Sequence, residues 1–550
     1  MSRAAWYWHR VRAMSPSEMT KRFFKKVSPT RPPTYKVSFE ENRALTSAAT
    51  GNLDHVEIKN ILAGQWKLFG KIPVQVDDPP RWNYDYLAGV EVPNTGKLNH
   101  RELPHGADAR VVWEINRWRE LVQLARGGGA AKKCVTWLED WAAKNPPYEG
   151  VNWTSALESG IRLIHFSEID SLLGGVGGLR DKILLPHVWF TWKERSFGSS
   201  ANNHLLGELA GLITASARWP QLAPLCAPID RLQQEWEREV LAQFAEDGGN
   251  REQALSYHVF SLDLCKRTGE ALIASGRKIS SAVEERMKLA EEFYDLVQVP
   301  AEQWDYGDSD DAVQRVTQRR PEEDRWHYFS NSGIARYRSG DWDLRWDLSP
   351  LGYLSTAAHG HLDALHLSIW WKGMAVVIDP GTGAYYSDPD LRAALAGWGA
   401  HNGPHLLGQD YPKRLGPFLW SAHHATPTWR DCCGELKLPH GTFSRKLIQM
   451  RQPGAWQVHD CLEPYRPFIV RWQFPPGAEI QPVGRGVPSE PQTWRLKRQE
   501  AQFDIQVTGG AGQCGVAVVS PGFRQTAKAP FLELKTGSEA CVLRTIFLNC

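Results

Sequence analysis

Hydrophobic residues in the first half of the chain recur with the spacing of an α-helix. Between residues 107 and 118 they lie three and four positions apart, and this pattern stops at the glycines of 127–129. Consecutive helices with short connections pack as antiparallel hairpins, so this half is predicted to form a bundle or a ring of helix pairs. Further stretches with the helical pattern, separated by short breaks that contain Gly or Pro, cover 130–143, 152–168, 180–196, 202–217, 223–244, 252–273 and 279–296.

Near residue 325 the pattern changes to an alternation of apolar and polar residues, which is typical of β-strands. Residues 365–381 predict two strands joined by a turn at Lys372 and Gly373. Because alternating segments continue to the C-terminus, a long antiparallel β domain, most simply a sandwich, is predicted. The predicted multidomain α+β organisation has an irregular or helical extension over 1–104, a helical domain over 105–302 and a β domain over 325–550.

Length and charge limit the classes of function. A chain of 550 residues is too long for one ordinary hydrophobic core, and a net charge of +2 gives no reason to expect nucleic acid as a partner. No apolar run of about 18 residues predicts a transmembrane segment. The basic N-terminal segment lacks the apolar core of a secretory signal, and the nine cysteines show no disulfide or metal pattern. These features predict a cytoplasmic location, with peripheral membrane contact or another export route as alternatives.

The first candidate site is at the start of a predicted helix over 202–217. Asn202 is a suitable N-cap residue, which accounts for its position without a functional role. Asn203 and His204 follow it, where the backbone N–H groups of a helix N-terminus point outward. An amide and an imidazole at such a place favour the binding of an anion.

A second candidate is the glycine-rich turn that leads into a helix over 246–258. Tyr257 lies in this helix, and a tyrosine in a helix is more often a core residue than a catalytic one. Glu246 and Asp247, with Glu208 from the first motif, are the carboxylates that a glycoside hydrolase would use. Adjacent carboxylates point in different directions and set no defined separation, so this pattern does not favour a hydrolase.

The third candidate is the histidine-rich segment 357–366. His359, His361 and Asp363 alternate, so they would share one face of an extended chain at the start of a strand. Asp379 ends the next apolar strand, and His401 follows after a loop. Two imidazoles and a carboxylate suit zinc or a similar transition metal, and a hydrogen-bonded cluster at the strand end is the alternative.

With these three motifs, the chain resembles the heparinase II/III-like polysaccharide lyases and the related alginate lyases. The resemblance implies an N-terminal α/α toroid, a C-terminal antiparallel β-sandwich and an active cleft between them. It also implies that the substrate is an acidic polysaccharide. The matching segments, in the order that the family shows, are 151–162, 202–204, 246–258, 359–363, 376–385 and 400–402.

The resemblance further implies a role for individual residues. Asn203 and His204 correspond to the pair that neutralises the substrate carboxylate and assists proton transfer, and Tyr257 and His359 correspond to the catalytic tyrosine and histidine. The implied substrate-binding residues are Asn152, Trp153 and Asn202. The implied ligands of a structural divalent metal, expected to be zinc, are His361, Asp379 and His401.

The chemistry of such a reaction agrees with these residue types. Elimination across C4–C5 of a uronate removes a weakly acidic C5 proton, so the carboxylate must first lose its negative character to a donor. A base must reach C5 and an acid must reach the departing O4, and Tyr and His suit both tasks. A tyrosine base would need a cation nearby to lower its pKa from about 10, with His204 or an Arg as the candidates.

Three alternatives to a lyase remain at this point. A uronyl C5-epimerase would use the same neutralisation and proton abstraction but return the proton to the opposite face. A glycoside hydrolase would need a carboxylate pair. A glycan-binding or assembly protein of a bacterial exopolysaccharide pathway would need no acid–base set, and it would agree with the absent secretion signal. The sequence leaves the polymer, endo or exo action and the oligomeric state open.

Overall fold

The computed structural model describes most of the chain from residue 54 onward. Within it, the helical and β regions follow each other in the predicted order. No helix of the described part combines the length and the apolar composition needed to cross a membrane. The described residues are 8, 11–12, 14–27, 37–39, 45, 54–299, 301–310, 323–409, 411–450, 455–483, 491–537 and 541–550.

The helical region follows the predicted segments closely, although most boundaries shift by a few residues. The predicted helix over 107–118 is interrupted at Trp118, whose φ of 64° lies in the left-handed region, and a second helix starts after it. The helices are Pro16–Val27, His55–Leu62, Ala109–Ile115, Arg119–Arg126, Ala131–Lys144, Ala156–Leu172, Leu185–Glu194, Asn203–Arg218, Ile229–Gln243, Leu255–Ala274 and Ser281–Val297.

Helices pair as an inner and an outer member of each hairpin. The inner helices Ala156–Leu172, Asn203–Arg218 and Leu255–Ala274 are buried over most of their surface, whereas Ile229–Gln243 buries a single face. Two inner helices approach closely, because a Cβ at Gly160 would lie 2.5 Å from the Gly207 carbonyl oxygen. This arrangement of helix pairs confirms the predicted helical fold class.

The β region contains antiparallel sheets. The strand pair at 365–381 is confirmed, since Leu367–Trp371 and Met374–Val377 are joined by Lys372 and Gly373, both with positive φ. A five-stranded sheet has the order Glu323–Phe329, Ile334–Ser339, Trp342–Asp347, Leu367–Trp371 and Met374–Val377. An eight-stranded sheet has the order Thr428–Arg430, Cys433–Leu438, Gly441–Gln449, Ala455–Glu463, Val542–Asn549, Ala501–Thr508, Gln492–Arg498 and Glu479–Val483. A three-stranded sheet has the order Ile469–Gln473, Gln525–Thr536 and Gly510–Gly522.

The N-terminal part is packed against the helices. Trp66, Trp82 and Phe69 belong to the same hydrophobic core as the inner helices, so this part of the predicted extension over 1–104 stabilises the helical domain. Asp85 also accepts a hydrogen bond from the backbone N–H of Asp108, at the start of helix Ala109–Ile115.

Two short segments connect the helical and β domains at the cleft. Asp247 accepts hydrogen bonds from the backbone of Asn331 and Ser332 in the β region. Asp308 lies between the predicted helical domain, which ends at 302, and the predicted β domain, which starts at 325. Its backbone N–H donates to the His359 carbonyl at 3.0 Å. These contacts fix the position of the histidine-rich segment relative to the helices.

Candidate active site

A cavity of about 750 Å³ lies where the helical and β domains meet. It brings together most of the residues that the sequence predicted for the site, and it is also lined by several basic side chains. The predicted residues on its wall are Trp153, Asn202, Asn203, His204, Tyr257 and His359. The basic residues on its wall are Arg22, Lys97, Arg101, Arg110, Arg117, Lys193 and Arg195.

The helix start at Asn203 is held by a buried carboxylate. Asn202 caps the helix by accepting from the backbone N–H of His204, as predicted. Glu252, which is 2% exposed, accepts from the Asn202 amide, the Asn203 backbone N–H and Asn203 Nδ2, which lies 3.0 Å from both of its carboxylate oxygens. Because a carboxylate only accepts hydrogen bonds, the Asn203 amide nitrogen must face Glu252. A negative charge therefore lies beside the amide that was expected to receive the substrate carboxylate.

His204 lies on the cavity wall one residue farther along the helix. Burial lowers the pKa of His204 to about 4, and the neighbouring His359 adds to the effect. At neutral pH its imidazole is uncharged. It can therefore accept or donate a hydrogen bond, but it supplies no positive charge to the site.

Tyr257 and His359 form a stacked pair in the cavity. Their ring centroids lie 3.8 Å apart at an interplanar angle of 21°, and the Tyr257 hydroxyl is 2.9 Å from that of Tyr385. Burial raises the pKa of Tyr257 well above 10, and the carboxylates of Asp310 and Asp308 add to this effect. The expected cation is present as Arg110, but its influence is outweighed. The phenol is therefore protonated at neutral pH, so Tyr257 does not meet the condition that a tyrosine base requires.

Asp308 connects the two histidines of the motif. Its carboxylate is 3.0 Å from His359 Nδ1 and 2.9 Å from His361 Nε2, and Arg392 also bonds to it. Burial raises the pKa of Asp308, but Arg392 and the two imidazoles outweigh it and hold the pKa well below its usual range. The ionised carboxylate requires N–H at both contacting ring nitrogens, which leaves His359 Nε2 as the position for proton transfer.

The two histidines do share a face, but they do not lie in a strand. Residues 359–363 precede the strand that starts at Leu367 and form an irregular segment with a turn and a bend. Gly360 between the histidines packs so closely that a Cβ would lie 1.5 Å from the Leu351 carbonyl oxygen. The predicted strand start is therefore corrected to a tight loop that needs glycine at this position.

Two of the three predicted metal ligands come together in the β domain. Donor atoms of Asp379, His401 and His366 lie within 4.8 Å of one another, whereas His361 is outside this group. His366 is satisfied without a metal, because Nδ1 accepts from the Asn402 backbone N–H and Nε2 contacts the Ser368 hydroxyl. Several buried atoms in and beside this group have no hydrogen-bond partner among the described residues: Asp379 Oδ2, His401 Nδ1 and Nε2, and His361 Nδ1. Asp379 Oδ2 and His401 Nδ1 lie 3.3 Å apart, at the distance of an ion pair.

These open donor atoms fit a divalent transition metal. His361 Nε2 lies 2.9 Å from Asp308 and 3.1 Å from Arg392 Nη1, which itself bonds to Asp308. Donation from Nε2 to the ionised carboxylate leaves the Nδ1 lone pair available, and a carboxylate behind a ligating imidazole is common around zinc. On this basis His361 suits a ligand better than His366, although His366 lies closer to Asp379 and His401.

Asn152 is not part of the cavity wall. Its side chain is fully buried, and its amide donates to Asn83 and Asn145 in the packing beneath the helices. Its implied role in substrate binding is corrected to a structural one. Its neighbour Trp153 does line the cavity, although it is 4% exposed.

The carboxylates considered for a hydrolase are placed apart. Glu208 accepts from the backbone and hydroxyl of Ser196, and Asp247 binds the β region at residues 331–332. Glu246 is exposed, and neither it nor Asp247 lines the cavity. The three carboxylates therefore form no acid–base pair across the cleft.

Several residues of the site were missed by the sequence analysis. Glu252 lies within the 246–258 motif, so its charge beside the glycine-rich turn was a usable signal. Tyr385 lies in the matching segment 376–385, and Arg110 and Arg117 lie in the helical pattern over 107–118, but no local signal marked them as site residues. Asp308 lies outside all of these segments. The fold alone brings them to Tyr257 and His359.

Comparison with known proteins agrees with this architecture. Residues 322–530 match the family model described as Heparinase II/III-like, C-terminal. No curated protein sequence matches the chain.

Solved structures with the same fold include three lyases. Heparinase III is similar with a TM-score of 0.66 and 12% identity, over 96% of this chain and 89% of that chain. The heparinase III-BT4657 gene product is similar with a TM-score of 0.60 and 14% identity, over 96% of this chain and 88% of that chain. Heparan sulfate lyase HepC from Pedobacter heparinus is similar with a TM-score of 0.54 and 16% identity, over 96% of this chain and 87% of that chain. The matches confirm a toroid followed by a β-sandwich, and the family model confirms the resemblance to heparinase II/III-like proteins over residues 322–530.

Proposed function

We propose that this protein is a polysaccharide lyase that cleaves a uronic-acid-containing polysaccharide by β-elimination. The observation that carries the proposal is the stacked pair of Tyr257 and His359 on the wall of a cleft. A binding protein needs no such acid–base pair, and a hydrolase would need two carboxylates instead. The fold shared with heparinase III and with heparan sulfate lyase HepC supports the same class of reaction.

The protonation states support one role for each residue in the proposed reaction. His359 has a hydrogen on Nδ1, held by Asp308, so its Nε2 accepts the C5 proton. The imidazolium that forms is stabilised by Asp308 and by Glu252, whose Oε2 lies 3.6 Å from Nε2. Tyr257 is protonated in the resting site and donates its proton to the departing O4. The proposed elimination thus moves one proton to His359 and one proton from Tyr257.

The proposed metal is structural. His361, Asp379 and His401 would hold a divalent ion, with zinc favoured by the nitrogen and carboxylate donors. When bound, the ion would brace the β domain beside the loop that carries His359. His361 would remain linked to Asp308, so metal binding and the orientation of His359 depend on the same carboxylate.

The test is incubation of the full chain with a panel of acidic polysaccharides, which includes heparan, chondroitin, hyaluronan, alginate and bacterial exopolysaccharides. A lyase produces ultraviolet absorbance from the C4–C5 double bond and shortens the polymer. Product masses that lack the added water of hydrolysis distinguish elimination from hydrolysis. Hydrolytic products, or binding to a polymer with no product over long incubation, would contradict the proposal.

A further inference from the structure

Two buried arginines line the cavity beside Tyr257. The side chains of Arg110 and Arg117 are 5% and 2% exposed, and both come from the region around helix Ala109–Ile115. Arg110 lies in the helix and Arg117 in the turn that follows it, and both line the same cavity. Neither was singled out by sequence, because a helical arginine is ordinarily a surface residue.

Carboxylates hold each guanidinium in a fixed orientation. Arg110 donates from Nε to Asp310 at 2.9 Å and from one terminal nitrogen to Glu114 at 2.9 Å. Arg117 bonds to Glu158 through Nε and a terminal nitrogen, at 2.9 and 2.7 Å. A two-point contact of this kind leaves little rotational freedom to the side chain.

Each guanidinium also keeps one open nitrogen. Nη2 of Arg110 and Nη1 of Arg117 are buried and have no hydrogen-bond partner within the part of the chain that the structure describes. Nη1 of Arg117 is 3.6 Å from Glu114, which is too far for a hydrogen bond. Most buried polar groups in proteins have a hydrogen-bond partner. Other buried arginines of the described chain, such as Arg162 and Arg345, also have a nitrogen without one, but of these arginines only Arg110 and Arg117 line the cavity. Their position on the cavity wall points to a ligand.

The other candidates for binding the substrate carboxylate supply no positive charge. The Asn203 amide contacts Glu252, and His204 is neutral. Arg110 and Arg117 supply positive charge to this wall at all relevant pH values, beside the carboxylates of Asp310, Glu114 and Glu158 that pair with them. Burial opposes the charge of Arg110, but Asp310 and Glu114 outweigh it and raise its pKa further.

We propose that Arg110 and Arg117 bind the carboxylate of the uronate next to Tyr257 and His359 through their open guanidinium nitrogens. The inference deepens the proposed lyase function and rests on it for the identity of the carboxylate. Neutralisation of the negative charge by fixed N–H groups lets electrons move toward the carboxylate as the C5 proton leaves. In this proposal Asn203 and Glu252 stabilise the part of the site that faces His359, and they do not bind the substrate carboxylate.

The test uses Tyr257→Phe as a background, so that ligand is bound but not consumed. The probes are an oligosaccharide of whichever polymer the wild-type chain depolymerises and the same oligosaccharide with its carboxyl groups reduced to alcohols. If no polymer is depolymerised, which would contradict the lyase proposal by itself, the probes are glucuronic acid and glucose. Binding is measured by calorimetry with Arg110→Lys and Arg117→Lys, which keep the charge and lose the planar pair of donors.

Arg110→Lys and Arg117→Lys each lose charge-assisted hydrogen bonds to the carboxylate. We therefore expect each variant to bind the acidic probe about ten- to a hundredfold more weakly. The reduced probe should bind each variant within about twofold of the background, because it offers no carboxylate to these donors. In a further variant, Glu158→Gln, the cavity wall loses a negative charge while the amide oxygen can still accept from Arg117, so the acidic probe should bind several-fold more tightly. The matched control is Arg218→Lys, a buried arginine paired with Asp170 away from the cavity, which should change neither affinity.

Equal losses for both probes, or no loss for the acidic probe, would overturn the assignment. Thermal melting of each variant separates a folding defect from a binding defect. If a lysine variant does not fold, the Glu158→Gln result decides, because weaker or unchanged binding of the acidic probe there contradicts the proposal. Absence of any binding of the acidic probe to the Tyr257→Phe background would also overturn it.

Discussion

The ring of Tyr257, on helix Leu255–Ala274, lies flat against the ring of His359, on a loop of the β domain, with 3.8 Å between their centroids. The pair therefore exists only when the two domains are docked. Asp308 contacts His359 twice: its backbone N–H donates to the His359 carbonyl, and its carboxylate accepts from His359 Nδ1. The geometry of the proposed acid–base pair thus depends on the interface between the two domains.

Replacement of Tyr257 by phenylalanine should remove the proton donor and keep the stack. Loss of general acid catalysis predicts a fall in kcat of about 10²–10⁴-fold, with the melting temperature nearly unchanged. The measurement is the rate of product absorbance on the polymer found in the panel. Tyr294→Phe, a buried tyrosine of helix Ser281–Val297, is the matched control and should keep full activity. Full activity of Tyr257→Phe together with an inactive Glu208→Gln would instead favour a hydrolase.

Replacement of Asp308 by asparagine should disturb the orientation and tautomer of His359. An amide can donate as well as accept, so the proton is no longer confined to Nδ1 of His359. We expect kcat to fall by about 10²-fold or more while KM changes little, since Asp308 does not line the cavity. Imidazole nitrogen chemical shifts in NMR spectra would report the change of tautomer. An unchanged kcat, with an unchanged spectrum, would contradict the role of Asp308.

Removal of the proposed metal should destabilise the β domain and disturb the orientation of His359. Elemental analysis is expected to find about one zinc per chain, and chelation should lower the melting temperature and the activity together. His361→Gln, but not His366→Gln, should reduce the metal content, because His361 has the open Nδ1. A metal-free preparation with full activity and an unchanged melting temperature would show that the metal assignment is wrong.

The arginine cluster should make stability depend on pH. Burial raises the pKa of Glu114, but Arg119, Arg110 and Arg117 outweigh it and lower the pKa from 4.5 to about 2. A carboxyl with a lowered folded pKa stabilises the fold above the unfolded pKa, and this contribution is lost as the pH falls through the folded pKa. At pH 7 it amounts to roughly 3 kcal/mol.

Denaturant unfolding of the wild type and of Glu114→Gln measures this contribution. The wild type should be more stable at pH 7, and the difference should shrink as the pH falls from 4.5 toward 2. Glu284→Gln, in the first turn of the outer helix Ser281–Val297, is the control for a change of net charge. A difference between the wild type and Glu114→Gln that stays constant with pH would contradict the account.

The sequence predicted the elements and most of the site, because these depend on local patterns. Helical spacing located the inner helices, and the turn residues Lys372 and Gly373 located a hairpin. The alternation of His359, His361 and Asp363 suggested a strand, but it cannot reveal that Gly360 packs against the carbonyl of Leu351 in a tight loop. Periodicity shows which side chains share a face, but it does not show the backbone conformation that places them there.

The electrostatics of the site could not be predicted in the same way. The pKa of Tyr257 is raised partly by the charges of Asp308 and Asp310, which lie in the segment between the two domains. Likewise, the charge beside Asn203 comes from Glu252, and Arg110 is held by Asp310, 200 positions away. Such sums of opposing charges are fixed by the tertiary structure, and no motif encodes them.

We propose that Tyr257 and His359 carry out an elimination, and NMR spectra of the reaction in D₂O test this proposal most directly. An elimination produces a vinyl proton signal at C4 of a new unsaturated chain end. This signal should grow as the polymer shortens, and it should be absent with Tyr257→Phe. Incorporation of deuterium at C5 with inversion, in a polymer that keeps its length, would contradict the account and identify an epimerase.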